Sequence, residues 1–154
     1  MDRSAFKASG AALITLCLSG CASLSTDAKD WAFAGKSAAE PAKLAYGQPE
    51  TDDVDLMLWC DPARGRVLIV PVGAEGEQFH RLALESAGQR ISLDLRQDGS
   101  LGSVGSLPIN APLLAAFRST GRLAVSPSHG RRKRLDTKSS SSQSQVRAFF
   151  DNCR

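Results

Sequence analysis

Ile91, Leu93 and Leu95 alternate with Ser92, Asp94 and Arg96, and a strict two-residue period is a pattern that suits a strand and not a helix. Successive side chains of a strand point to opposite faces, so this segment offers one aliphatic side and one polar side. A half-buried strand needs partners, and the surrounding sequence supplies candidates. Residues 54–60 and 66–72 are rich in Val, Leu and Ile, and Asp61-Pro62-Ala63-Arg64-Gly65 between them has the proline and glycine of a turn. Residues 79–84 and 122–125 read as further strands. Asp98-Gly99 predicts a tight hairpin with the glycine at positive φ, and the glycine-rich return, residues 101–107, predicts a bulged or edge strand.

Helical signals are fewer. Asn110 has the chemistry of an N-cap, Pro112 suits a first turn, and Leu113, Leu114 and Phe117 share a face of a short helix ending near Ser119, before Gly121. The serine-rich residues 139–144 predict a low-complexity loop. Beyond them Val146, Phe149 and Phe150 mark a short C-terminal helix carrying Cys153. The expected fold is mainly β: an antiparallel β-sandwich or partly open barrel with two short helices.

At the N-terminus Arg3 and Lys7 precede an apolar run over residues 8–18, shorter than the roughly twenty residues of a membrane-spanning helix. The run ends in Leu18-Ser19-Gly20-Cys21, which resembles the lipobox of bacterial prolipoproteins. The resemblance implies that residues 1–20 are a signal peptide and that Cys21 becomes a lipidated N-terminus bearing two or three acyl chains. Each buried acyl methylene contributes about 0.8 kcal/mol, so two chains anchor where one binds only marginally. In that family an Asp after the cysteine retains the protein in the inner membrane. Ala22 stands here, which implies the periplasmic face of the outer membrane. An ordinary secretory signal, with Cys21 left as a thiol, is the alternative.

Residues 21–41 are small and polar around Trp31 and Phe33 and read as a tether. Those two aromatics would face the same side of an extended chain, so they also fit a first strand. Residues 42–154 are expected to form one domain. Of the four cysteines, Cys17 leaves with the signal and Cys21 is committed to lipid. In an oxidising periplasm the remaining Cys60 and Cys153 read as a disulfide, with two buried thiols as the alternative.

Catalytic and metal-binding patterns are sparse. His80 and His129 lie on different segments without zinc-ligand spacing, and neither Gly-x-Ser-x-Gly nor a phosphate-cradling glycine loop occurs. His80 reads as a surface residue and His129 as part of a turn. Glu50, Asp52, Asp53 and Asp55 have the oxygen chemistry of a calcium site but not EF-hand spacing, and read as a solvated turn. The formal net charge is +3, and removal of Asp2, Arg3 and Lys7 leaves the chain weakly basic, which does not point to nucleic acid. The one dense basic run, Arg131, Arg132, Lys133 and Arg134, suits an anionic partner or, alternatively, a charged edge strand protected from aggregation.

A lipobox, a small β-rich domain and a C-terminal cysteine together resemble the membrane-bound lysozyme inhibitors of the bacterial envelope. Residues 84–90, Leu-Glu-Ser-Ala-Gly-Gln-Arg, are similar to the family's Ser/Gly/basic inhibitory loop, which would direct Ser86 and Arg90 to the lysozyme cleft. The chain departs from the family in having Leu58-Trp59 where a tyrosine precedes the first cysteine, and in lacking its Phe-Trp segment. The functional expectation is a membrane-tethered, non-enzymatic binding domain without metal or cofactor. Its partner is expected to be an envelope protein or an anionic lipid or polymer, and inhibition of lysozyme or another hydrolase is the alternative.

Overall fold

Alternating burial runs through strand after strand and sorts the chain into two antiparallel sheets. The structure, a computed structural model, describes residues 28–35, 37, 40–48, 51–73 and 79–153. Residues 1–20, read from the sequence as a signal peptide, and Cys21 lie outside the described residues. The strands are β1 (Asp30–Ala34), β2 (Lys43–Gly47), β3 (Val54–Asp61), β4 (Arg66–Pro71), β5 (Arg81–Ser86), β6 (Gln89–Asp94), β7 (Arg96–Asp98), β8 (Gly102–Pro108), β9 (Arg122–Pro127) and β10 (Lys133–Asp136). Two helices, α1 (Pro112–Thr120) and α2 (Ser140–Asn152), and a short 3-10 turn, Pro62–Arg64, complete the described elements. One sheet has the order β1-β2-β3-β4-β8-β7 and the other β10-β9-β5-β6. They do not close into a barrel, so the sandwich is the architecture found.

The inward positions make a single core. From the larger sheet come Leu44, Tyr46, Leu56, Leu58, Cys60, Val67, Ile69 and Leu107, and from the smaller Leu82, Leu84, Leu93, Leu123, Val125 and Leu135. Helix α1 adds Leu113, Leu114 and Phe117, while α2 adds Val146, Phe149 and Phe150. Each large side chain so buried contributes about 1.5–3 kcal/mol by transfer from water. Among the described residues all core members lie between Trp31 and Cys153, so this part of the chain contains a core of its own.

Trp31 shows how far that core reaches toward the N-terminus. Its ring meets Tyr46 edge-on at 5.1 Å and Phe117 at 4.9 Å, and its Nε1 donates to the Leu135 carbonyl at 3.2 Å. The folded unit therefore takes in residues 30–34 of the segment read as a tether, by way of the strand alternative. Asp30 fastens this strand to α2: its carboxylate accepts from the Lys138 amide and from the buried Ser142 hydroxyl.

Several local expectations change. The serine run is not a loop: Ser139 caps α2, its hydroxyl accepting from the Ser142 amide, and residues 140–144 form the first turns. Asn110 is not the cap of α1. Pro112 occupies the first turn and places the cap at Ala111, whose extended backbone suits the residue before a proline. The hairpin at Asp98 exists, but its loop has three residues, 99–101, and the positive φ falls on Gly102, at 76°. Asp98 organises that loop by accepting from the Ser100 amide and hydroxyl and from the Leu101 amide. Those bonds, the Ser100 hydroxyl foremost, hold its carboxyl below the usual range. Strand β8 is not an edge either, since it pairs with β4 and β7. At its Gly105 a Cβ would meet Leu95 Cδ2 at 2.8 Å, so the Leu95 side chain would have to move to admit one.

Candidate functional site

Cys60 and Cys153 are bonded, with Cα atoms 5.4 Å apart and both residues buried. The bridge joins the end of β3 to the C-cap of α2. It accounts for both cysteines that follow Cys21 in the sequence.

The basic run becomes the loop before β10 and then β10 itself, the edge of the four-stranded sheet. Strand geometry divides it between two sides. Lys133 stands opposite Val125 and shares the inward side with Leu135. At the rim of the core it reaches across to the other sheet, where its Nζ donates to Asp55 at 2.6 Å. Lys29 donates to the same carboxylate at 3.0 Å and to Asp53 at 2.7 Å. Burial opposes ionisation of Asp55, but the hydrogen bonds from Lys133 and Lys29 outweigh it and hold the carboxyl below its ordinary range. The bond to Asp53, with further support from Asp55, raises the Lys29 ammonium above its usual value. Asp53 and Asp55 of the acidic cluster are thus engaged with lysines. Among the described residues no three His, Cys, Asp or Glu side chains form a group able to hold a metal; Glu50 lies outside them.

Arg132 and Arg134 point the other way, onto the outer face of the four-stranded sheet. The register brings further arginines there: Arg134 is opposite Ala124, Ala124 opposite Glu85, and Glu85 opposite Arg90. Arg81 and Arg122 share the outward parity. Five arginines, 81, 90, 122, 132 and 134, therefore occupy one face and all are exposed. Their partners account for only part of this charge. Arg81 Nε lies 2.9 Å from Asp94, and an Arg132 guanidinium nitrogen lies 3.0 Å from Glu85. Arg90, Arg122 and Arg134 make no ion pair among the described residues. Apart from Glu85 and Asp94, the side chains between the arginines are small: Ala83, Ser92, Ala124 and Ser126. A basic face with a low floor is suited to a broad anionic surface.

Sequence reasoning found Arg131, Arg132, Lys133 and Arg134 but missed Arg81 and Arg122, which are isolated in the chain. The available signal was that all four strands of this sheet carry an arginine or adjoin one at an outward position. Arg90, which the resemblance to lysozyme inhibitors directs to a partner's cleft, is exposed beside a hairpin turn. Residues 86–89 form a tight hairpin turn with Ala87 and Gly88 at φ 44° and 80°. Ser86 is buried and donates to the Arg122 carbonyl at 2.8 Å, so it faces inward rather than toward a partner.

Where the two sheets part, a cleft of about 460 Å³ opens beside the Lys29–Asp55–Lys133 bridge. Its floor includes Leu56, Phe79 and Val125, and its rim includes His129 and Arg131. His80 and His129 are both exposed. No family profile, curated protein or solved structure matches the chain.

Proposed function

We propose that this chain is an exported lipoprotein whose mature part is a non-enzymatic binding domain, anchored through Cys21 to the periplasmic face of the outer membrane and directed at an anionic envelope component. The observation that carries the reading is the Cys60–Cys153 bridge. A disulfide within the core fits an oxidising compartment, and it leaves Cys21 as the remaining cysteine beyond the signal-like run. The arginine face supplies the chemistry for an anionic partner, because guanidinium groups match phosphate and carboxylate geometry.

The test is metabolic labelling with a fatty-acid analogue, followed by membrane fractionation. Wild-type protein is expected to label and to co-fractionate with outer membrane. Cys21→Ser is expected to accumulate as an unlabelled precursor. Labelling that persists in Cys21→Ser contradicts the anchor.

A further inference from the structure

We propose that the outer face of the four-stranded sheet is a bilayer-docking surface that binds the phosphate groups of anionic lipids through Arg90, Arg122 and Arg134, with Arg81 and Arg132 around them. This deepens the proposed function, and the choice of a membrane rests on the lipid-anchor reading. The run of four basic residues would act only in part, since Lys133 is engaged with Asp55 at the core's rim. Residues remote in sequence take its place.

Shape and charge are the first argument. Adjacent strands lie about 4.8 Å apart, so the four strands spread the arginines over about 14 Å. Small residues between them let the guanidinium groups stand clear of the sheet. The acidic groups on this face, Glu85, Asp94 and Asp136, are fewer than the arginines. Close to an anionic bilayer, each basic residue is worth about a five-fold gain in binding, and three unpaired arginines together give about a hundred-fold.

The path of the chain is the second argument. Lys29 shares the Asp55 carboxylate with Lys133 of β10, and the Trp31 indole bonds the Leu135 carbonyl of the same strand. The N-terminal segment therefore enters the domain beside the basic edge. Eight residue steps separate Cys21 from Lys29, at most about 29 Å of extended chain. A lipid at Cys21 would keep the arginine face within reach of the headgroups, where the bilayer potential is felt over a Debye length of about 8 Å.

The experiment uses the soluble domain, residues 22–154 with the disulfide intact, so binding is measured without acyl chains. Vesicles of phosphatidylglycerol and phosphatidylethanolamine in equal parts are compared with phosphatidylcholine vesicles. The expected result is salt-sensitive binding to the anionic vesicles alone, weakened about a hundred-fold by combined R90Q, R122Q and R134Q. The matched set R64Q, R66Q and R96Q, away from this face, is expected to change binding by no more than a few-fold. Circular dichroism and an intact disulfide show that both variants are folded. Equal losses in the two sets would replace the face with attraction by net charge, and binding to soluble polyphosphate without binding to anionic vesicles would replace the membrane with a polymer. Both results overturn the proposal. Because the domain tested has no lipid, arginine-dependent vesicle binding supports the docking face even where Cys21 proves unlabelled.

Discussion

Ala87 is the only non-glycine residue with positive φ among the described residues. It sits there because β5 and β6 turn in two residues, and the tight turns that match strand twist need positive φ at both central positions. An L-residue with a Cβ pays about 1–2 kcal/mol for that region, and asparagine tolerates it better. Ala87→Asn is therefore expected to stabilise the protein by about 0.5–1 kcal/mol, measured as a higher urea midpoint at unchanged slope. An unchanged or lower midpoint would show that the strain is absorbed elsewhere. The same residue marks a limit of sequence reading. Ser86-Ala87-Gly88-Gln89 resembles a functional loop when read as letters, whereas the pairing of Ser86 with Gln89 makes it a turn and sends the serine inward.

At the scale of elements, legibility followed how local the determining physics is. The alternation of Ile91 and Leu93 and the turn residues 61–65 specify their strands and hairpin without help from distant groups. Helix α2 was legible only in its apolar half, because serine is a poor helix former in the interior and a good cap at the start. Its first turns also depend on Asp30, 112 residues from Ser142. The arginine face was unreadable for a related reason: Arg90, Arg122 and Arg134 come together only through the register of three strand pairs.

The clamp between β3 and β10 gives a prediction in pH. Asp55 has a lowered pKa in the fold, so its contribution to stability is present above the unfolded value, about 3.9, and is lost as pH falls through the folded value below it. The pairs are partly exposed, with Lys133 at 58%, and each is worth about 1 kcal/mol or less. Combined Lys29→Met and Lys133→Met should reduce the loss of stability as pH falls below about 4, read from urea midpoints across that acid range. An unaltered acid slope would mean that Asp55 does not govern it.

For the whole molecule, the Cys60–Cys153 bridge closes a sequence separation of 93. In the chain-entropy account a loop of that size contributes about 4–5 kcal/mol, a large share of a domain's usual 5–15 kcal/mol. Reductant or Cys153→Ser should accordingly lower the denaturant midpoint strongly, and an unmoved midpoint would contradict this role for the bridge. The fold class was legible because alternation, turns and cysteine count agreed, while the extent of the domain was less so because Trp31 sits in polar surroundings in the chain and in an aromatic cluster in the fold. The central claim joins this folded domain to a lipid at its start. Its most direct test is the intact mass of protein extracted from the envelope without reductant, together with fragmentation of its N-terminal peptide. The account predicts a chain beginning at acylated Cys21 and lacking the two thiol hydrogens of Cys60 and Cys153. A chain beginning elsewhere, or an unacylated Cys21, would contradict it.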